Sequence, residues 1–412
     1  MRRQLISAVL IGALLLTGCG APTPPGDAGR IDAELVADLA PGDTAAVAQA
    51  VNAFAFDLFG EVAADRQNTV TAPLSMTVLL AMLLAGADGD TAAELARVLH
   101  LDDRRDVRVG ALLRQLSDTD EVTLSVANSL WSGAGVPLEE SYLTFLRSTF
   151  GATAEQRDLG SAETAEAIDA WASENTNGLI DRIAADLGLP DPAVVLALLN
   201  AVYFLGEWKT RFDSDATRPE PFAVAGASPA DVPTMRLTGE SFGHAQRDGY
   251  RMLRLPYGED GRYGMEIMLP DNGKTLAGML STLDAAEWRA ATGALTGQPV
   301  DLLTLPRFEL RWKGEMTEPL RRLGLSDAFV PGRADFRPMS PVAPAVQTVV
   351  HKTYIRVDEK GTEAAAVSGG AMAVSSLTGS REFRVDRPFA FSISDRQTGA
   401  ILFLGSVTDP RG

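Results

Sequence analysis

Histidine is the usual general base at neutral pH, so the search for catalytic chemistry in this chain starts from its histidines. The three of them, His100, His244 and His351, fall in segments that predict three separate structural elements. The sequence has no His-Glu-x-x-His metal motif and no Walker glycine loop, and we expect no nucleophile elbow. A Ser/His/Asp triad is assembled in space, so a hydrolase stays open as an alternative, but the sequence favours a protein that is not an enzyme.

Cys19 is the single cysteine, which excludes an intrachain disulfide and a cysteine-ligated metal site. It follows two arginines and the apolar run Leu5–Leu16, a pattern that predicts a secretory signal too short for a comfortable membrane span. The ending Leu-Thr-Gly-Cys resembles the bacterial lipoprotein cleavage box. That resemblance implies cleavage before Cys19, lipidation of its sulfur and amino group, and anchoring to an extracytoplasmic membrane surface. A plain signal peptide with an accidental cysteine is the alternative.

Composition limits the partners of the mature chain. The formal net charge is -17 and would become -19 without Arg2 and Arg3, since no acidic residue precedes Cys19. Such an acidic chain is a poor binder of nucleic acid or of an anionic membrane surface. A hydrophobic content of 46% allows a large core. We therefore divide the chain into a signal peptide at residues 1–18, a lipidated cysteine and tether at 19–45, and one domain at 46–412.

The stretch from Thr362 to Ser376 is the most unusual part of the domain. It consists of small or slender side chains with no proline, and its only charge is Glu363. Such a segment could enter a sheet as a new strand, because proline would remove a ladder hydrogen bond and an inward charge would cost several kcal/mol. A flexible linker is the alternative on composition alone.

The flanks of this stretch argue against a linker. Thr348–Asp358 is rich in Val, Ile, Tyr and Thr and predicts a strand. Phe383–Asp386 and two further β-rich runs follow, and the turn-forming group Asp395–Gly399 separates those two runs into a hairpin. A long pliable segment is thus attached at both ends to sheet.

The residues EKGTEAAA at 359–366, with DRPFAF further on, resemble the reactive-loop hinge and the C-terminal signature of the serpin family. APLSM, AIDAWASENTNGLI, GEWKTRFD and EPLRRLGLSDAF resemble that family in the same order, so the matches span about residues 46 to 409. The resemblance implies an α+β fold with a large central mixed β-sheet, two smaller sheets, about eight or nine helices and an exposed reactive loop at about 359–383.

The resemblance also implies a function: inhibition of serine proteases as a suicide substrate, with the cleaved loop inserting into the central sheet. It implies a monomer without a cofactor, which forms a covalent complex with its target protease. Gly369-Gly370 departs from the usual pattern and weakens a strand, so a non-inhibitory binding module at the cell surface is the alternative. The implied hinge is Glu359, Gly361, Thr362, Glu363, Ala364, Ala365 and Ala366.

The scissile bond stays open between neighbouring positions. The family's usual span from Glu359 gives Ser375, followed by Ser376, whereas the usual distance back from Pro388 gives Leu377, followed by Thr378. Val374 is a further alternative. All these residues are uncharged, and trypsin-like proteases need a basic residue, so we expect elastase-, subtilisin- or chymotrypsin-like targets.

Four further residues match positions that serpins use to control the central sheet. Ser75 and Asn200 match the region beneath the sheet that is called the shutter, and Trp208 matches the tryptophan where the loop first enters. His351 is expected to bond with Asn200 and its neighbours and to hold the sheet closed. Ala72 stands where the family usually has another serine. For each residue, an ordinary core role is the alternative.

Two periodic segments give expectations about the remaining elements. Lys274–Leu295 predicts one helix, and Asp301–Arg311 predicts one strand. Pro73–Ala85 is apolar all round and predicts a buried helix.

Overall fold

The computed structural model describes residues 42–63, 67–103, 105–342, 344–362 and 381–412. These residues form nine α-helices and two β-sheets, which confirms the predicted α+β class. The helices are α1 (Asp43–Val62), α2 (Pro73–Ala85), α3 (Gly89–Leu99), α4 (Val107–Ser117), α5 (Glu140–Phe150), α6 (Ala162–Asn175), α7 (Leu276–Leu280), α8 (Ala285–Gly293) and α9 (Thr317–Arg322).

The strands alternate with these helices along the chain, and their bounds are as follows. They are β1 (Thr69–Thr71), β2 (Thr123–Gly133), β3 (Thr153–Arg157), β4 (Leu196–Glu207), β5 (Arg218–Phe222), β6 (Ala230–Arg247), β7 (Tyr250–Pro256), β8 (Tyr263–Pro270), β9 (Thr296–Pro306), β10 (Phe308–Glu315), β11 (Val350–Val357), β12 (Gly361–Thr362), β13 (Glu382–Arg384), β14 (Phe389–Asp395) and β15 (Ile401–Val407).

A six-stranded mixed sheet carries the predicted hinge. Its order is β10-β11-β12-β4-β2-β3, with β2 and β3 parallel and the other pairs antiparallel. The two-residue strand β12 lies between β11 and β4, and among the described residues β11 and β4 form no ladder with each other. The short β12 therefore lies between two much longer strands, β11 and β4.

The other sheet has nine strands, because the two smaller sheets that we expected are joined through β6. This strand pairs with β7 through Gly243–Arg247 and with β9 along Thr234–His244. Its 18 residues are long enough to serve both neighbours. β8, β14 and β15 are buried at every position, so this sheet forms the centre of the hydrophobic core.

The helix α2 fills the space between the two sheets. Every residue of it is buried, as predicted, and Pro73 occupies its first turn, where a missing backbone N–H costs nothing. Among the described residues no helix is long and apolar enough to cross a membrane.

Two predicted elements are each divided in the structure. Lys274–Leu295 forms α7 and α8 rather than one helix, because the Asp284 side chain accepts a hydrogen bond from Glu287 N and begins a second helix. Asp301–Arg311 is divided at Pro306, with β9 in the nine-stranded sheet and β10 in the six-stranded one. Periodicity alone does not show where a chain changes sheets.

Candidate functional site

The hinge enters the sheet through an unusually close backbone contact. Gly361 pairs with Glu207 and Thr362 pairs with Gly206, both on β4, and Thr362 also pairs with Val357 on β11. A Cβ atom at position 361 would lie 2.0 Å from the Gly206 carbonyl oxygen and 2.7 Å from Glu207 Cα. Glycine is therefore required there, whatever the backbone dihedral angles.

The remaining loop residues lie outside the part of the chain that the structure describes. These are the predicted hinge residues Glu363, Ala364, Ala365 and Ala366, and the scissile-bond alternatives Val374, Ser375, Ser376, Leu377 and Thr378. Cys19 also lies outside it. Those assignments stay predictions.

An aromatic pair holds the hinge from one side. Trp208 stacks on Tyr257, with ring centroids 4.4 Å apart and planes 12° from parallel. The Trp208 indole N–H donates to the Asp358 carbonyl oxygen at 2.8 Å, and the Tyr257 hydroxyl lies 2.6 Å from Thr362 Oγ1. Thr362 is only 2% exposed. Trp208 therefore lies in direct contact with the residues just before β12, Asp358 and Lys360.

A charged contact fixes the first hinge residue. Glu359 is 6% exposed, and its carboxylate accepts from Arg307 Nε at 2.6 and 2.7 Å and from the Thr217 hydroxyl. The Glu359 carbonyl oxygen accepts from Phe212 N at 2.9 Å. Both the side chain and the main chain of Glu359 are thus bonded to elements outside β11.

A chain of side-chain amides runs beneath the six-stranded sheet. The Ser75 hydroxyl donates to Asn200 Oδ1, Asn200 Nδ2 donates to Asn128 Oδ1 at 2.6 Å, and Asn128 Nδ2 donates to the Phe150 carbonyl oxygen at 3.0 Å. Asn128 and Asn200 face each other in the β2–β4 ladder. These bonds connect α2 to β4, β2 and the end of α5.

His351 is bonded differently from our expectation. Its Nε2 accepts a hydrogen bond from the Ala72 backbone N–H at 2.9 Å, and the structure gives it no bond to Asn200. The ring is buried, and the Trp312 ring centroid lies 6.0 Å from that of His351. His351 therefore connects β11 to the first turn of α2 through the backbone. The backbone N–H of Ala72 is the donor to His351, so this hydrogen bond does not need the serine hydroxyl that the family usually has at this position.

Burial lowers the pKa of His351 to about 4. The unfolded chain would bind the proton from about pH 6.5 downward, so this group makes the folded state less stable as the pH falls from 6.5 towards 4. His351→Gln keeps a hydrogen-bond acceptor but does not titrate. We expect this variant to lose up to about 3 kcal/mol less free energy of unfolding than the wild type as the pH falls from 6.5 to 4. The measurement is the thermal unfolding midpoint of both proteins between pH 7 and pH 4.

The exposed His100 provides the control for this prediction. His100→Gln removes an exposed histidine that contacts Asp57 on α1 at 2.8 Å, and should leave the acid destabilisation in place. Equal pH profiles for wild type and His351→Gln would contradict the prediction.

The described residues contain no constellation that supports hydrolysis. Gly239–Gly243 (GESFG) does carry the Gly-x-Ser-x-Gly spacing, but it lies inside β6, whereas a nucleophile elbow needs a strand-to-helix turn. None of the three histidines is bonded to a serine in the described part of the chain, and no group of three potential ligands there could hold a metal ion.

Sequence reasoning missed four residues that complete the site, and a signal existed for one of them. Asn128 is a polar residue in the apolar run VANSLW, just as Asn200 is in LLNAVYF, and two buried amides on adjacent strands often pair. No sequence pattern around Tyr257, Thr217 or Arg307 indicated a role for them, because each residue contacts the hinge only in the folded structure.

The chain matches the family described as Serpin (serine protease inhibitor) over residues 49–410. It is 36% identical over 391 residues to an uncharacterized serpin-like protein of Thermococcus kodakarensis, covering 90% of this chain and 88% of the relative. It is 32% identical to leukocyte elastase inhibitor of Sus scrofa, covering 87% and 97%. Among solved structures, the thermophilic serpin tengpin in its native state matches with a TM-score of 0.80 and 26% identity, covering 90% of this chain and 95% of that one. The chain is therefore a member of the serpin family.

Proposed function

We propose that this serpin inhibits serine endopeptidases as a suicide substrate, by inserting its cleaved loop between β4 and β11. The observation that supports this most directly is β12, where Gly361 and Thr362 already form ladder pairs with β4, and Thr362 pairs with β11. The residues that follow, up to Ser376, have the small side chains and the lack of proline that a continuing strand needs. Serpin loop insertion is itself a standard example of strand addition.

The proposed reaction uses the catalytic groups of the target protease. Its serine Oγ bonds to the carbonyl carbon of residue 375 or 377, and the peptide C–N bond breaks. The new amine at residue 376 or 378 takes the proton that the protease's histidine relays. The loop then inserts with the protease still attached as an acyl-enzyme, and inhibition requires that insertion be faster than deacylation.

The uncharged residues around the bond support elastase-, subtilisin- or chymotrypsin-like targets. Met372–Leu377 has no basic residue, and the nearest one downstream is Arg381. The name of the pig relative, leukocyte elastase inhibitor, agrees with a small or apolar residue at this position.

The test is incubation of the protein with elastase, subtilisin, chymotrypsin and trypsin, followed by gel and mass spectrometry for an SDS-resistant complex. The mass of the released C-terminal peptide locates the cut. Ser375→Arg and Leu377→Arg form a matched pair, since only the variant at the true scissile bond should gain trypsin inhibition. Clean cleavage without any complex would reject inhibition and favour a binding module.

A clamp across the six-stranded sheet should set the speed of insertion. After α6 the chain crosses the sheet to Asp186, whose carboxylate bonds to Lys313 on β10 and Lys352 on β11. Burial would raise the pKa of Asp186, but the two lysines hold it below its usual value. A strand that enters between β4 and β11 must pass beneath this segment, because the residues after α6 pack on β4.

We expect Asp186→Asn to weaken the clamp by about 1 kcal/mol and to speed insertion roughly fivefold. The measurement is the rate of complex formation by stopped-flow fluorescence, together with the thermal midpoint of the uncleaved protein. Asp181→Asn, an exposed change in the same segment, is the control and should alter neither. An unchanged rate in Asp186→Asn would show that displacement of this segment does not limit insertion.

We also propose that the mature protein is a lipid-anchored monomer outside the cytoplasm. The support is the Leu-Thr-Gly-Cys box that ends at Cys19 and the predicted tether after it, which can extend only to the start of α1 at Asp43 rather than to residue 45. Cys19→Ser should abolish palmitate labelling and move the protein from the membrane fraction to the soluble fraction. Retention of the variant in the membrane fraction would reject the anchor without affecting the inhibitory proposal.

A further inference from the structure

The strand β13 attaches the C-terminal end of the predicted reactive loop to the nine-stranded sheet. It has three residues and pairs in parallel with β9, and no described strand lies on its other side. Its middle residue, Phe383, is only 1% exposed, whereas the residues on either side are partly exposed. A parallel edge strand of this length makes few backbone hydrogen bonds, so the contacts of Phe383 supply much of its attachment.

Two basic side chains on neighbouring strands contact Phe383. Arg251 on β7 has its guanidinium carbon 5.0 Å from the centre of the Phe383 ring, and its Nη1 donates to the Glu382 carbonyl oxygen at 3.1 Å. The His244 ring on β6 meets the Phe383 ring at 84°, with the ring centroids 6.0 Å apart. In the β6–β7 ladder His244 pairs with Leu253, two residues from Arg251, so both basic side chains lie on the same face. β13 is therefore held by an arginine and a titratable histidine that lie side by side.

The surroundings of His244 oppose its protonation. Burial lowers the pKa of His244 below its ordinary value, and the charge of Arg251 lowers this pKa further. Both causes depend on β13, because Phe383 covers the imidazole and the Glu382 carbonyl oxygen holds the guanidinium in place. When β13 leaves the sheet, His244 is exposed to water and Arg251 is free to turn away. Protonation of His244 therefore favours the state in which β13 is detached.

The other charged groups nearby are paired with one another. They are Arg384 with Glu382 on β13, Arg387 with Asp386, and Arg247 on β6 with Glu287 on α8. Asp271 and Asp386 favour the charge of Arg251, and Arg387 opposes it. On β9, the residue paired with His244 is Thr296, which carries no charge. Arg251 is therefore the cation that a protonated His244 meets.

We propose that β13 is an acid-sensitive anchor of the reactive loop. Protonation of His244 places a second positive charge beside Arg251, loosens the contact of both side chains with Phe383, and increases the fraction of molecules in which β13 has left the sheet. The loop is then held at β12 alone. Since the predicted scissile bond lies between β12 and β13, it is presented to a protease less uniformly, and complex formation should slow in acid. This last effect rests on the proposed inhibitory function, whereas the release of β13 does not.

Amide hydrogen exchange of the folded mature protein tests the release of β13. Rates are measured by mass spectrometry at pH 7.5 and pH 5.5, corrected for the intrinsic pH dependence of exchange, and expressed relative to β8, which is buried along its whole length. In the wild type, the protection of residues 382–385 should fall roughly fivefold between the two pH values, and in His244→Gln it should fall less than about twofold. His100→Gln, which removes an exposed histidine bonded to Asp57, should keep the wild-type fall. An equal fall in the wild type and His244→Gln, or no fall in the wild type, would overturn the proposal.

A second measurement does not depend on the folding of His244→Gln. The ring protons of the three histidines are followed by NMR as the pH is lowered, and His100→Gln and His351→Gln identify two of the three signals. The remaining signal, from His244, should titrate below pH 6.5 in the wild type. In Phe383→Ala, which removes the ring that covers the imidazole, the titration should move towards pH 6.5. A wild-type titration of His244 at or above pH 6.5 would also overturn the proposal.

The effect on inhibition has its own readout. The rate constant for complex formation with subtilisin is compared between wild type and His244→Gln at each pH, so that the pH dependence of the protease itself cancels in the ratio. The variant should react as fast as the wild type at pH 7.5 and roughly threefold faster at pH 5.5. If exchange shows the release of β13 but the two proteins react equally fast at pH 5.5, the anchor stands and its link to inhibition is rejected. If no protease complex forms at all, the inhibitory proposal fails and the exchange result is unaffected.

Discussion

Thr362→Arg should abolish the SDS-resistant protease complex while leaving cleavage of the loop intact. Thr362 is 2% exposed, and its Oγ1 lies 2.6 Å from the Tyr257 hydroxyl between β4 and β11. An arginine there would place a guanidinium beside Tyr257, Val357 and Gly206, and within the described part of the chain Thr362 has no bond to a carboxylate. Burying an unpaired charge costs several kcal/mol, so the loop should not insert past position 362. Deacylation should then be faster than insertion, and the protease should be released.

Two milder changes make this prediction specific. Thr362→Ser keeps the hydroxyl and should form the complex with wild-type stoichiometry. Thr362→Val keeps the shape but leaves the Tyr257 hydroxyl without its partner in the intact and the cleaved protein alike, so it should lower the stability of both by about 1 to 2 kcal/mol and still form the complex. The measurements are the stoichiometry of inhibition and the thermal midpoint of the cleaved protein. A stable complex with Thr362→Arg would mean that insertion does not begin at β12.

The sequence predicted those features that depend on local composition. The buried helix at Pro73–Ala85 follows from an unbroken apolar run, and the small residues of the hinge follow from what a strand must lack in order to insert. The family resemblance added the positions of Ser75 and Asn200, which the structure connects through one hydrogen bond.

The details that sequence reasoning missed depend on three-dimensional proximity. His351 was expected to bond to Asn200, but in the structure its Nε2 accepts from the backbone N–H of Ala72, which is 279 residues away in sequence. The joining of two sheets through β6 was equally out of reach, because an alternating pattern does not say how many neighbours a strand has. Both the hydrogen-bond partner of His351 and the neighbours of β6 are set by contacts between residues far apart in the sequence.

Glu359→Lys should destabilise the intact protein, because it removes the ion pair that holds the first hinge residue. The substitution would place an ammonium beside Arg307, whose Nε now lies 2.6 and 2.7 Å from the Glu359 carboxylate oxygens. Loss of a fully buried pair costs about 3 to 5 kcal/mol, but the Arg307 side chain is 43% exposed, so we expect about 2 to 4 kcal/mol. The measurement is the thermal unfolding midpoint at a fixed scan rate. Glu359→Lys, Arg307→Glu and the double variant are compared with the wild type.

The exchange of the two charges separates electrostatics from packing. Arg307→Glu combined with Glu359→Lys restores an ion pair in the reverse orientation, so it should recover more than half of the stability lost in Glu359→Lys. Glu359→Gln, which keeps the shape and still accepts from Thr217, should cost less than Glu359→Lys because Arg307 can turn towards solvent. If the double variant is no more stable than Glu359→Lys, the contact with Thr217 rather than the charge on Arg307 fixes the first hinge residue.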